Sequence, residues 1–301
     1  SNPTTAVSNI IHSLKLEPSD EILMTNHEYG ALIRAWCSMS NKTGVRIVQQ
    51  EIPIPLVSKE KFKNDFWSGV SDKTKVIFIS HITSPTALIL PIKEIIQMAK
   101  SRGILTIIDG AHVPGHIPLN INDLGCDFYT GALHKWLCMP KGTTFLYVKK
   151  AHQNWVSPVV KSWGDEGEDP GPSNFLKEFQ WQGTNDLSSF LTVPSAINFY
   201  NKHIKQNKND CFLLASEASS KFNQILGTNR IYEGGNWIGQ MVAHPLPKNA
   251  PEDLKDILLK DFKIEIPIFK WNGIRLIRAS FQIYNDKKDL DSIVNALSSI
   301  F

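Results

Sequence analysis

Short apolar runs alternate with amphipathic stretches through the first two thirds of the chain. Residues 20–25 (DEILMT), 46–52 (RIVQQEI), 75–80 (KVIFIS) and 104–109 (ILTIID) are brief and, in several cases, apolar at consecutive positions, which predicts strands buried on both faces. Between them, residues 30–40, 58–70 and 92–103 have helical composition, and the last closes on Gly103 after a basic turn. Strand and helix in alternation predict crossover connections, and hence an α/β fold with a mostly parallel sheet and helices on both of its faces. Ligands of such sheets bind beyond the carboxyl ends of the strands, so the residues just after each strand are where chemistry is expected.

The pattern changes after residue 159. Residues 162–174 (SWGDEGEDPGPSN) form a loop rich in glycine, proline and acid, too polar for a core and long enough for a binding or interface role. Residues 185–204 read as one long helix, with Pro194 as a kink or an early start. From about Gln206 the order becomes helix, strands, helix, an α+β layout. The predicted organisation is therefore a large domain over 1–204 and a smaller C-terminal domain over 205–301.

Composition narrows the class. The 301 residues are 42% hydrophobic and 20% charged, as in a globular protein, and the net charge of +3 is the difference between 32 basic and 29 acidic residues with no cationic block. Neither nucleic acid nor an anionic membrane surface is called for. No apolar run reaches the roughly 18 residues of a membrane span, and the first residues do not make a signal peptide. Four scattered cysteines, Cys37, Cys126, Cys138 and Cys211, have neither metal spacing nor a disulfide framework, which favours a reducing, cytoplasmic setting.

The candidate chemistry sits at strand ends. In IIDGAHVPGH a strand closes on Asp109, followed by His112, and in DFYTGALHKWLCMPKG Lys135 lies in a run that is otherwise apolar and turn-rich. A lysine in such surroundings loses basicity and becomes a nucleophile toward carbonyl carbon, unless it simply caps a turn at the surface. A buried carboxylate needs a partner, either a protonated ring nitrogen or Lys135 itself. Asp109, His112, His116 and His134 are also of metal-ligand type. Pro114 and Gly115 disfavour a helix carrying both His112 and His116, and the histidines also suit ordinary buried hydrogen bonds. Pyridoxal phosphate explains the set more fully: Lys135 for the Schiff base, Asp109 to keep the pyridine nitrogen protonated, and His134 and Thr130 near the phosphate. An amino-acid substrate then calls for an arginine against its carboxylate. Arg275 and Arg278 are candidates, but three residues apart on a strand they cannot face the same way.

The run DGAHVPGHIPLNINDLGCDFYTGALHKWLCMPKGTTFLYV, with NPTTAVSNII, NHEYGAL, SHITSPT, QWQGTND and IRASFQIYNDKKDLDSIV in order along the chain, resembles the aminotransferase class V enzymes of pyridoxal-phosphate fold-type I, most closely the isopenicillin N epimerase-like group. The resemblance implies that an amino-acid substrate reacts through an external aldimine after displacing Lys135. It places Asp109 at the pyridine nitrogen, His112 at the ring hydroxyl oxygen, and His134 with Thr5 and the Ala6 amide at the phosphate. Tyr29 would stack on the cofactor, and His81 would stand at a strand end on the substrate side. Thr184 would reach the phosphate of the other subunit of a homodimer, and Arg278 would grip the substrate carboxylate. Relatives carry a further stretch ahead of TTAVSN that contributes to the substrate pocket, and a polar residue where this chain has Ala132.

Three reactions share these steps. Epimerisation needs a proton donor on each face of the cofactor, for which Lys135 and Tyr29 would serve, while transamination needs Lys135 alone. A carbon–sulfur lyase is the alternative. A desulfurase working through a persulfide is disfavoured, because no cysteine follows Cys211. The reading from outside enzymology, a silent protein that keeps the fold, is opposed by the intact lysine, aspartate and arginine.

Overall fold

The structure, a computed structural model, describes residues 1–165, 172–234 and 236–301. The first part contains α1 (Pro3–Ser13), β1 (Glu21–Thr25), α2 (Gly30–Thr43), β2 (Arg46–Gln50), α3 (Lys59–Trp67), β3 (Thr74–Ser80), α4 (Ile92–Ser101), β4 (Leu105–Asp109), α5 (Ile121–Leu124), β5 (Phe128–Ala132) and β6 (Thr144–Val148). Six strands form one sheet in the order β2-β1-β3-β4-β5-β6, parallel throughout except for the antiparallel edge strand β6. The four predicted strands and three predicted helices are all present.

Side-chain alternation explains the double apolar character of the central strands. On β3, Ile77 and Ile79 point into a core that includes Phe62, Phe66, Ile95 and Ile96 of α3 and α4. Val76 and Phe78 point the other way, into a core with Val7, Ile10 and Trp36 of α1 and α2. Helices thus cover both faces, and the strand ends are the free edge on which a site can be built.

The second part holds α6 (Asn174–Gln180), α7 (Ser188–Leu191), α8 (Val193–Phe199), α9 (Lys208–Leu226), β7 (Met241–Pro245), α10 (Leu254–Lys260), β8 (Ile268–Trp271), β9 (Ile274–Ser280) and α11 (Lys287–Ile300). The strands make an antiparallel sheet in the order β7-β9-β8, with its own core against α9, α10 and α11. Ile231, Trp237, Met241, Ala243, Trp271 and Leu276 from this part also join the first core, so the two regions share apolar packing.

Two expectations change. The single helix over 185–204 is broken: α7 ends at Leu191, α8 restarts with Pro194 in its first turn, and a π turn (Tyr200–Ile204) and a short 3-10 turn lead into α9. Proline has no amide to donate, so it suits a helix start better than a helix interior. The turn-rich run around Lys135 begins with a strand, β5, whose Gly131 hides it from a propensity reading. The acidic loop at 162–174 lies partly outside the described residues.

Candidate active site

The cleft opens at the carboxyl ends of β1, β3, β4 and β5. A cavity of about 490 Å³ is lined by Asp109, Ala111, His112, His134 and Lys135, with Tyr29, Ser84 and the first turn of α1 on the remaining sides. A second opening of about 190 Å³ shares His112 and Lys135 and continues toward Ser280, Gln282 and Tyr284. The Lys135 side chain is exposed to this cleft by surface area, yet the protein packed around its amine is dense enough to lower its basicity. Desolvation is the main cause and Arg278 adds to it, with Asp109 pulling the other way.

Hydrogen bonding defines the proton on that amine. Trp136 Nε1–H donates to His112 Nδ1 at 3.3 Å, which leaves the proton of the neutral imidazole on Nε2. Lys135 Nζ lies 3.2 Å from that Nε2. A donor on the imidazole side requires an acceptor on the lysine side, so the pair fits a neutral amine. Burial above all, with the Arg278 guanidinium adding to it, holds His112 well below the usual histidine range, in agreement with its neutral form.

Asp109 ends β4 and is 4% exposed, with Oδ1 accepting from the Ala111 amide at 2.9 Å. Burial raises its carboxyl, while the Ala111 amide and the Lys135 amine oppose the rise. Below it, Tyr129 fills the floor: a β-carbon on Gly110 would fall 2.2 Å from the Tyr129 hydroxyl, so only glycine fits there. Tyr129 in turn meets His81 Nδ1 at 3.0 Å. His81 is therefore turned to the floor, away from the residues lining the cavity, with its basicity lowered by burial to about 4.

The helix N-terminus at the cavity is already capped. Asn2 accepts the Thr5 amide through Oδ1 at 2.9 Å, and the Ala6 amide donates to the Asn2 carbonyl at 3.1 Å. The Ala6 amide expected at the phosphate is thus consumed by the first helical bond, and helix geometry leaves the Thr4 amide as the free donor of this turn. Thr5 and Thr4 line the cavity, and His134 does so with Nδ1 turned to the Thr143 carbonyl at 3.0 Å, which leaves Nε2 for a ligand. Thr130 does not contribute; its hydroxyl donates to the Phe145 carbonyl at 2.9 Å. Thr184 is exposed on a neighbouring groove of about 660 Å³ that also includes Thr5 and Ala6, and does not line the cavity of Lys135.

Arg278 and Arg275 point apart, as strand alternation requires. Arg275 donates to the carbonyls of Ala250 and Pro251, whereas Arg278 donates to the carbonyl and hydroxyl of Ser84 at the cleft wall. The buried Arg278 Nε has no partner among the described residues, an orphaned donor beside the cavity. Among the described residues no group of three His, Cys, Asp or Glu is arranged to hold a metal ion. Both nitrogens of His116 are engaged, by the His112 carbonyl and the Gln240 amide.

Sequence reasoning missed several residues here. Glu28 is a buried carboxyl next to Ser80, Trp136 fixes the His112 tautomer, and Ser84 faces Arg278. An acid three residues past a strand, in TNHEYG, was the available signal for the first. The other two depend on tertiary contacts alone.

Residues 1–293 match the family described as aminotransferase class-V. The chain belongs to that family. It is 28% identical to an isopenicillin N epimerase of Amycolatopsis lactamdurans, over 99% of this chain and 79% of that protein. A putative L-cysteine desulfhydrase of Oryza sativa subsp. japonica is 25% identical, over 99% of this chain and 69% of the relative. In fold the chain resembles a C-DES mutant solved with glycine covalently linked to its pyridoxal-phosphate cofactor. The TM-score is 0.86 at 18% identity, with all of this chain and 80% of that one covered.

The donor set fits pyridoxal phosphate. An amine of lowered basicity and a buried carboxyl face one cavity of the size small cofactors occupy, with a helix start and the free His134 nitrogen beside them. This class V enzyme thus has the residues that cofactor calls for.

Proposed function

We propose that Lys135 binds pyridoxal phosphate covalently and that the enzyme acts on an α-amino acid in the manner of the isopenicillin N epimerase-like group. The observation that carries this reading is the single cavity in which Lys135, His112 and Asp109 meet, with Nζ 3.2 Å from His112 Nε2. Bound there, the cofactor supplies an electron sink for the electron pair left on the substrate α-carbon. Asp109 holds a proton on the ring nitrogen. His112, with its proton on Nε2, donates to the ring hydroxyl oxygen, and Tyr29 covers the ring face. His134 Nε2, Thr5 and the Thr4 amide receive the phosphate. Arg278 turns from Ser84 to the substrate carboxylate, for which its orphaned Nε is a further donor. Lys135 Nζ takes and returns the α-proton, and Tyr29 stands as the second proton donor that epimerisation requires.

A carbon–sulfur lyase outcome shares every one of these roles, and the desulfhydrase relatives favour it as the second reading. Homodimerisation with Thr184 contributed in trans, and a cytoplasmic location, belong to the same proposal. The first is supported by exposed apolar residues around Thr184, among them Trp181, Leu187 and Leu191, and the second by four cysteines that are all free. No helix among the described residues is long and apolar enough to cross a membrane.

The test is optical and chemical. Wild-type protein given pyridoxal phosphate develops the absorbance of a lysine Schiff base, and Lys135→Ala loses both that band and turnover, by at least the roughly 10²–10⁴-fold that a positioned proton-transfer group contributes. Offering candidate amino acids in deuterated water and following α-deuterium uptake, keto acid and sulfide together separates the reactions. A wild type that never forms the band overturns the reading.

A further inference from the structure

The Lys135 cleft rests on a second buried acid that the roles above leave unused. Glu28, three residues beyond β1, is 3% exposed. Its Oε2 accepts from the Ser80 amide at 2.9 Å and from the Ser80 hydroxyl at 2.5 Å, and its Oε1 accepts from the Thr25 hydroxyl at 2.6 Å. Ser80 is the last residue of β3 and stands in register with Asp109 of β4. The Glu28 carboxyl is therefore held against the end of β3, the strand beside the one that ends in Asp109.

No ion pair among the described residues includes Glu28. The groups packed around it are neutral or acidic. On its own loop, His27 is tied to Thr86 and the Ile52 carbonyl and held to about 4 by burial. At the end of β3, His81 is likewise held to about 4. Burial and Asp109 keep the Tyr129 hydroxyl on β5 protonated. Asp109 itself is the charged neighbour, and neither the Lys135 amine nor the Arg278 guanidinium acts on Glu28. Two carboxylates in such a place cannot both ionise without strong mutual penalty. They are not equivalent: Asp109 lines the cavity, where water, an amine or a pyridinium can meet its charge, and Glu28 does not.

We propose that Glu28 is a positioning residue: it keeps its proton, so that the single negative charge of the Glu28–Asp109 pair resides on Asp109 at the floor of the cleft. The cradle suits this state, because either hydroxyl can rotate to accept the acid's single proton while the other hydroxyl and the Ser80 amide still donate. Burial and the nearby Asp109 push the Glu28 carboxyl up to about 7 against the three hydrogen bonds that favour its ionised form. The consequence for the cofactor rests on the pyridoxal-phosphate reading, since a charge fixed on Asp109 is what retains the proton of the ring nitrogen. The proton on Glu28 can be observed without any cofactor.

Infrared spectroscopy of the cofactor-free protein is the test. In the wild type, below neutral pH, a protonated-carboxyl C=O band that shifts in deuterated water is expected, and Glu28→Gln, which retains the shape and most of the hydrogen bonding, removes its contribution. Asp109→Asn removes the like charge and lowers the midpoint of the Glu28 band by about one pH unit. Ser80→Ala keeps both acids, deletes a donor to the ionised form and raises that midpoint, which covers the case of a Glu28→Gln protein that fails to fold. A band unchanged by Glu28→Gln, or a midpoint indifferent to both Asp109→Asn and Ser80→Ala, overturns the proposal. Failure of the cofactor reading has a different signature, namely a wild type with this infrared band that develops no Schiff-base absorbance with pyridoxal phosphate.

Discussion

Lys135 Nζ lies 3.2 Å from His112 Nε2, and the proton between them is fixed from the far side of the ring by Trp136. Replacing Trp136 with phenylalanine keeps an aromatic ring and deletes the indole donor. The imidazole is then free to take the other tautomer, and the preference for a neutral lysine weakens. A hydrogen bond worth about 1 kcal/mol corresponds to an approximately fivefold slower reaction of Lys135 with pyridoxal phosphate at neutral pH. Stopped-flow absorbance on Trp136→Phe measures it, and an unchanged rate with an intact fold refutes the tautomer argument.

Glycine 110 is a packing constraint. Its missing β-carbon is the space the Tyr129 hydroxyl occupies, so Gly110→Ala has to displace a buried tyrosine or move the strand end that carries Asp109. The expected cost is about 1–3 kcal/mol of stability. Gly110→Ala combined with Tyr129→Phe removes the hydroxyl but leaves the ring carbons in the way, so relief is partial. Thermal unfolding of the two variants is the check.

Arg278→Lys retains the charge and loses the planar donor fork. At a site where carboxylate recognition is bidentate this is not a conservative change. Loss of one charge-assisted hydrogen bond of about 1.5–3 kcal/mol lowers kcat/KM on the order of 10- to 150-fold. The effect falls mainly on KM, and Schiff-base formation at Lys135 is unaffected. Steady-state kinetics beside the absorbance of the loaded enzyme distinguishes this role from a structural one.

Stability depends on pH through buried histidines. His27, His81 and His244 are each lowered by burial to about 4, and His116 to about 3, from an ordinary value of 6.5. Between those values the unfolded chain binds more protons than the folded one, so stability rises with pH there. The contribution of these four is complete above about pH 6.5 and is lost as pH falls toward 4. Glu28, raised from 4.5 to about 7, works in the opposite sense, because the folded state binds the extra proton in that window. Acid unfolding between about pH 6.5 and 4.5 is therefore steeper in Glu28→Gln than in the wild type. Urea midpoints against pH give the two slopes, and parallel curves reject the balance.

Much of this was legible before the structure. Crossover strands announce themselves by apolar runs such as KVIFIS, because both faces of β3 are buried, and the lysine and aspartate follow from their positions beside such runs. Hidden were features decided between distant residues. Strand β5 carries Gly131, and its pairing with β4 and β6 overrides local propensity. The Ala6 amide is spent on the Asn2 carbonyl, which a motif match does not register. His81 stands at the expected strand end, yet its ring is drawn down to Tyr129. Sequence position locates a Cα; the direction of a side chain depends on what packs around it.

Two ties cross the cleft from the far end of the chain: Arg278 to Ser84 and the Gln282 amide to the Trp136 carbonyl. They join residues 194 and 146 positions apart. During synthesis, the lysine and aspartate leave the ribosome long before the strand that completes their enclosure. A nascent chain that carries Lys135 and Asp109 but not yet that strand would present only an open half-site to the cofactor.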